Sequence, residues 1–283
     1  MPKPKTVLYY NSQHQAKHAI DFTSKSYIML RSVTRHRVIM LLSIIIPTSN
    51  ETQNQYLWQS LQQLAPMVTP ELEVIVVDSC SQDGTIERLQ RHPIKLIQTK
   101  NANRAARLNI GVAHAQGKAL LLHHPRSILS PDFIHNIHDF TVTNQHHFWG
   151  GFTLKHDHTH WLLRFVSWYS NEVRLKRKKT VYLDHCIFIH AHLARRVFPI
   201  PDVAIFEDTI LSQALAKHSP PILLPSIAVT SSIRFVTRGV IRQFLMNQCL
   251  KLLFTLRLPD GFMNRIYERH CQLNVIYRFF LRA

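Results

Sequence analysis

Three polar loops interrupt the first half of the chain, each directly after an apolar run: Pro47-Thr-Ser-Asn-Glu51, Asp78-Ser-Cys-Ser-Gln-Asp-Gly-Thr85 and His123-His-Pro-Arg-Ser127. Asp78, ending one of those runs, can accept hydrogen bonds from a base N–H or from ribose hydroxyls. Ser81, Asp83 and Gly84 make a turn into the next segment, and Asp83 is either part of a site or the cap of the helix that follows. Histidine is the other candidate for chemistry, because ten of the 19 lie between His114 and His160. On a strand, alternate residues share a face, so His156, His158 and His160 could chelate Zn²⁺ or Ni²⁺. Their spacing fits no known finger, and a solvated histidine-rich loop is the competing reading.

The elements that must position these loops are legible from periodicity. Leu42–Ile46, Glu73–Val77, Ile94–Gln98 and Lys118–His123 read as strands, and 52–64, 85–91 and 104–115 as the helices between them. Unbroken Ile, Val and Leu runs are what strands buried on both faces look like, and the intervening helices supply the crossovers of a parallel sheet. The expected core is a doubly wound α/β fold, whose ligands bind outside the carboxyl ends of the strands. Further on, Phe148–Leu154 and Val181–His190 read as strands, 161–178 as one long helix, 208–217 as a helix and 222–235 as an extended run. After Thr237 the pattern is helical and basic.

Composition bounds the class. A net charge of +17 accompanies 46% hydrophobic and 18% charged residues, so the chain can bury a core and is no disordered polyelectrolyte. Cys80, Cys186, Cys249 and Cys271 form no C-x-x-C pair, which argues against a disulfide framework. No apolar run approaches the ~18 residues needed to span a bilayer, and no signal-peptide core is present; a cytoplasmic protein is expected. Residues 1–39 carry seven Lys or Arg against Asp21 alone and read as a basic, disordered extension, with Met40 an alternative start. The expected division is 1–39, a catalytic domain over 40–236, and a basic amphipathic helical segment over 237–283.

Ile44-Ile-Ile-Pro-Thr-Ser-Asn-Glu51 followed by Val76-Val-Asp-Ser-Cys-Ser-Gln-Asp-Gly-Thr85 resembles the opening of a family 2 glycosyltransferase of the GT-A fold. Asn103-Arg-Ala-Ala-Arg-Leu-Asn109, Phe206-Glu-Asp-Thr209 and Thr230-Ser-Ser-Ile-Arg234 are similar to the branch labelled radical-SAM/selenodomain-associated transferase. The resemblance runs from Leu41 to Tyr267. It implies transfer of a sugar from a nucleotide-diphospho-sugar to an acceptor hydroxyl, with inversion. By position, Pro47, Thr48, Glu51 and Asp78 would hold the nucleoside, and Arg104, Arg107 and Asn109 would follow its ribose and diphosphate. Asp208, beside Glu207, would be the base, although a carboxylate at a helix start can also be only a cap.

The family's D-x-D-like motif, whose last carboxylate binds Mn²⁺ or Mg²⁺, is replaced here by His124-Pro125-Arg126. Hard cations want oxygen ligands, which Arg cannot provide; the metal ligands are unknown, with His124 a candidate and a site built from His124 and Asp208 the alternative. Two readings stand: Arg126, joined by Arg234, serves the leaving diphosphate as a fixed cation, or the chain is an inactive nucleotide-sugar-binding paralogue. A second departure is Asp184-His185 where Asp-Gln is usual near the acceptor side.

The C-terminal segment interleaves Arg238, Arg242, Lys251, Arg257 and Arg265 with Phe, Leu, Ile and Tyr. Membrane-surface binding, bringing a lipid-linked acceptor to the site, is set against core packing with outward arginines. Nucleic acid is a third reading, and no helix-turn-helix, finger or RNP pattern accompanies the charge.

Overall fold

The computed structural model describes residues 40–100, 102–143 and 148–268. The expectations for 1–39, His146, His147 and 269–283 lie outside the described residues. Strands and helices alternate as β1 (Leu42–Thr48), α1 (Gln55–Leu64), β2 (Leu72–Asp78), α2 (Thr85–Leu89), β3 (Lys95–Gln98), α3 (Arg104–His114) and β4 (Ala119–Leu122). β1 lies between β2 and β4, parallel to both.

Successive side chains of β1 point to opposite faces, and both faces are covered. Ile44 and Ile46 pack with Leu57 and Leu61 of α1, whereas Ile45 packs with Ala105 and Leu108 of α3. The helix comes close enough that a Cβ at Gly111 would sit 2.3 Å from Ile45 Cγ2. A continuous apolar run in β1 is therefore what two helical layers require.

The second half adds β5 (Ser127–Leu129), α4 (Phe133–Thr143), β6 (Trp149–His156), α5 (Trp161–Trp168), β7 (Ile187–His190), α6 (Ala191–Val197), α7 (Glu207–Leu215) and β8 (Ile222–Thr230). Three helices close the described chain: α8 (Ile233–Arg238), α9 (Val240–Thr255) and α10 (Asp260–Glu268). The eight strands form one sheet in the order β3-β2-β1-β4-β7-β6-β8-β5, six running one way, with β7 and β5 antiparallel to their neighbours.

Several boundaries differ from the sequence reading. The expected strand 181–190 is extended only over β7, because Leu183–His185 form a 3₁₀ turn and Cys186 follows at φ 54°. The expected helix 161–178 is α-helical to Trp168 and then widens into a π-helical turn, Tyr169–Leu175. The extended run 222–235 stops at Thr230, and residues from Ile233 turn into α8. The three alternating histidines do not share a face, since β6 ends at His156, whose Nδ1 lies 2.8 Å from Ser167 Oγ, while His160 caps α5. Among the described residues no group of three His, Cys, Asp or Glu could hold a metal ion.

Candidate active site

β1 and β2 end in register, Thr48 opposite Asp78. Asp78 is fully buried: its Oδ2 accepts from Thr48 Oγ1 and Ser81 Oγ, both at 2.7 Å, and its Oδ1 from the Ser81 N–H at 2.7 Å. The carboxylate thus ties the loop after β2 to the end of β1. Asp83 does similar work, accepting from the Thr52 N–H at 3.0 Å and the Thr85 N–H at 3.1 Å. Against the opposing effect of burial, the hydrogen bonds from Thr85 and Thr52 hold its carboxyl below the usual range.

From the other side, Asn103 caps α3 by accepting from the Ala106 N–H at 2.9 Å, and this starts the helix with Arg104 and Arg107 at the sheet edge. Arg107 donates to the Thr48 carbonyl and, from Nε, to the Asn103 carbonyl at 3.2 Å. Burial and the neighbouring Arg104 push its pKa down to about 10. Arg104 Nε donates to Glu207 Oε1. Asn109, which the family resemblance placed along the diphosphate, instead grips Ile200: its amide exchanges two 2.9 Å hydrogen bonds with that residue's backbone.

The loop after β4 carries His123, His124, Pro125 and Arg126. Asn54 Nδ2 donates to the Pro125 carbonyl at 2.8 Å, fixing the loop against the start of α1. Arg126 Nη2 donates to Glu51 Oε2 at 2.9 Å, and the side chains are 14% and 6% exposed. Burial raises the Glu51 carboxyl above its usual range even with that guanidinium beside it. The donor set of this loop does not suit a hard divalent cation: Glu51 is engaged by Arg126, His124 Nδ1 accepts the Arg126 N–H at 3.2 Å, and Asp184 and Asp208, on the same cavity wall, form with His124 no group among the described residues that could hold a metal ion.

Glu207 and Asp208, adjacent at the start of α7, diverge. Phe206 precedes them in the left-handed region at φ 67°, an unusual backbone for a bulky residue. Glu207 turns inward to Arg104 and is 1% exposed. Asp208 faces a cavity of about 450 Å³, with its Oδ2 accepting the Leu183 N–H at 3.1 Å. Burial, and then repulsion by Glu207, push its pKa up to about 6.

Of the residues singled out from the sequence, the structure brings Arg104, His124, Arg126, Asp184, Asp208 and Arg234 together on the cavity wall. Pro47, Thr48, Glu51, Asp78, Arg107 and Asn109 do not line it. Arg234 donates to Glu268 at 3.0 Å and lies 4.2 Å above the Tyr267 ring, so α8 and α10 meet at the cavity. α9 contributes Phe244, Leu250 and Lys251, and the π-helical turn contributes Arg174. Sequence reading had singled out neither Arg174 nor Tyr182 for the site; Arg174 opens the basic run 174–179, a signal that reads equally as a solvated surface.

An open, mostly parallel α/β sheet whose carboxyl-edge loops face a cavity, with a carboxylate presented from a later helix, is the architecture of GT-A glycosyltransferases. Residues 43–198 match the family model for glycosyl transferase family 2, more than half of the chain, and the protein belongs to that family. Among solved structures, S. aureus TarS 1-349 in complex with UDP-GlcNAc is 19% identical with a TM-score of 0.56, covering 68% of this chain and 59% of that one. The mannosyltransferase PcManGT from Pyrobaculum calidifontis, in complex with GDP-Man and Mn²⁺, is 17% identical with a TM-score of 0.52, covering 66% and 56%. These likenesses are of fold. No curated protein matches the sequence.

Proposed function

We propose that the chain transfers a sugar from a nucleotide-diphospho-sugar to an acceptor hydroxyl with inversion, and that Asp208 is the base. The observation that carries this reading is the divergence of Glu207 and Asp208: one carboxylate is consumed by Arg104, and the other faces the cavity with its pKa near 6. A base whose pKa lies near the working pH is both deprotonated and basic enough to take a proton. As the acceptor oxygen bonds to the anomeric carbon, the bond from that carbon to the diphosphate oxygen breaks, and the acceptor proton passes to Asp208. Arg126, Arg104 and Arg234 on the cavity wall supply fixed positive charge for the departing diphosphate. The nucleoside would lie over the loops that Asp78 and Asp83 organise, with Arg107 and Thr48 beneath it.

Release of nucleoside diphosphate from a panel of UDP- and GDP-sugars, with wild type and Asp208→Asn compared, tests the reading. The Arg126–Glu51 pair at the family's metal position favours one other reading, a paralogue that binds nucleotide sugar without turnover; it is the better account if nucleotide binds and no donor is consumed.

For a location we propose the surface of an anionic bilayer on its cytoplasmic face, which would give access to a lipid-linked or membrane-associated acceptor. No helix among the described residues is long and apolar enough to cross a membrane. Two helices carry apolar residues outward instead: Trp161, Phe165 and Trp168 of α5, at 68%, 46% and 54% exposure, and Ile241, Leu245 and Leu252 of α9 with Leu256 just beyond it, all at 60% or more. Each set falls on one helical face, and the exposed Lys176-Arg-Lys-Lys179 follows the first. Aromatic and aliphatic residues beside basic ones suit the headgroup region. Phe165 also lines the cavity, so the outward stripe of α5 reaches its wall. In this reading 40–236 carries the catalytic loops, and the described part of the C-terminal segment, 237–268, completes the cavity and the surface.

A further inference from the structure

Two cations of the cavity, Arg174 and Lys251, stand apart from the groups assigned to the donor. Arg174, in the π-helical turn, is 7% exposed, and its guanidinium lies 3.9 Å from the centre of the Tyr182 ring. Lys251 of α9 approaches the same ring, its Nζ 6.0 Å from the centre. Both side chains line the cavity. Among the described residues neither has an ion-pair partner; the nearest polar contact is Gln248 Oε1, 3.4 Å from Lys251 Nζ. Asp184 is the acidic group whose field reaches Lys251, and it stands outside ion-pair distance. A guanidinium removed from bulk water without a counter-charge is costly, and a second cation drawn to the same ring adds repulsion. Burial and then Arg174 push Lys251 down to about 8. An anion held by both would relieve that repulsion.

We infer that Arg174 and Lys251, over the Tyr182 ring, form a subsite for a phosphoryl group carried by the acceptor. This rests on the transferase reading above. The pair belongs to the wall built by the π-helical turn and α9, whereas Arg104 and Arg126, assigned to the donor diphosphate, come from α3 and the loop after β4. A guanidinium fork with an ammonium matches a tetrahedral oxyanion. Phe165, Val166, Phe244 and Leu250 line the same cavity, so the phosphoryl group can be that of a lipid headgroup or of a soluble phosphorylated acceptor.

The experiment is calorimetric titration of the full chain, saturated with UDP or GDP, by methyl phosphate and by dodecyl phosphate below its micellar concentration. Wild type is compared with Arg174→Gln and with Lys251→Gln, the latter a change at a partly exposed helical position that leaves the fold intact. Both probes are expected to bind wild type and to weaken at least ten-fold in each variant, while nucleotide affinity is kept. Dodecyl phosphate binding ten-fold tighter than methyl phosphate assigns a lipid headgroup; equal affinities assign a soluble acceptor. Phosphate binding that is the same in Lys251→Gln as in wild type overturns the subsite, as does a parallel loss of nucleotide affinity in either variant, which would give these cations to the donor. Wild type that binds neither nucleotide refutes the transferase reading instead, and the methyl phosphate arm, repeated without nucleotide, still decides the subsite.

Discussion

Arg126 donates to Glu51 across 2.9 Å and so joins the loop after β4 to the loop after β1. A hard cation at this place would need oxygen ligands, and here a guanidinium occupies the carboxylate. The guanidinium is the counter-charge of that acid, and removing it leaves Glu51 buried without one.

Arg126→Ala leaves Glu51 buried without that counter-charge. Breaking a buried pair from one side typically costs ~3–5 kcal/mol, whereas removing both charges costs far less. In urea unfolding, Arg126→Ala should lose stability on that order, and the double variant Arg126→Ala with Glu51→Gln should recover much of it. Equal losses in the single and double variants would show that the pair does not hold the two loops.

Transfer should persist in EDTA, and Arg126→Ala should slow it by on the order of 100-fold or more, the usual cost of one preorganised stabiliser of developing charge. Arg126→Asp is expected to introduce a dependence on Mn²⁺. An enzyme silenced by EDTA and rescued by Mn²⁺ would overturn the arginine assignment.

Asp208→Asn should keep donor binding and lose transfer. In wild type the rate should rise as pH passes upward through about 6, where the carboxyl releases its proton and becomes a base. The same raised pKa has a stability consequence of fixed sign. Between the ordinary 3.8 and about 6 the folded state holds this proton more tightly than the unfolded one, so the contribution of Asp208 to stability falls as pH rises through that window. Asp208→Asn is therefore expected to be more stable than wild type at pH 8 and to lose that advantage below pH 4. Denaturation midpoints that are equal at both pH values would contradict it.

Asp78→Ala strips three hydrogen bonds from Thr48 and Ser81 at a fully buried position. Each buried donor left unsatisfied costs ~1–3 kcal/mol, so stability and nucleotide affinity should fall together. A variant with wild-type affinity would remove the loop after β2 from the nucleotide site.

Replacing Trp161, Phe165 and Trp168 by Ser should release the protein from vesicles containing phosphatidylserine while leaving its circular dichroism unchanged, because the three side chains point outward. Wild type should sediment with anionic vesicles at low salt and less so at high salt, as basic residues beside apolar ones require. Equal sedimentation of wild type and the triple variant would sink the bilayer assignment, and salt-sensitive binding to unrelated oligonucleotides alone would favour nucleic acid.

The core strands were readable because burial on both faces writes an unbroken apolar run, as in Leu42–Ile46 and Glu73–Val77. α4 and α6 were missed: the first mixes His135, His138 and Asp139 into its surface, and the second is only seven residues long. The end of β8 was overrun because Thr230-Ser-Ser-Ile looks extended locally, while α8 depends on packing that sequence spacing does not encode. The same distinction governs the site. Arg126 follows β4 and so announces itself by position, and Asp208 by the Glu-Asp pair that opens a helical pattern. Arg174 and Lys251 lie 77 positions apart by their numbering and meet only over Tyr182, a juxtaposition that the tertiary fold creates.

The order of strands puts β3, four residues long, and β5, three residues long, at the two margins of the sheet. Each margin offers few free backbone groups, and Lys95 stands exposed on one of them. Short, charged margins give another chain little to template on, so strand-by-strand aggregation is disfavoured even though the interior is rich in Ile and Val. The propensity of this protein to self-associate is thereby shifted away from its sheet and onto the apolar outer faces of α5 and α9, where a detergent or a bilayer can satisfy it.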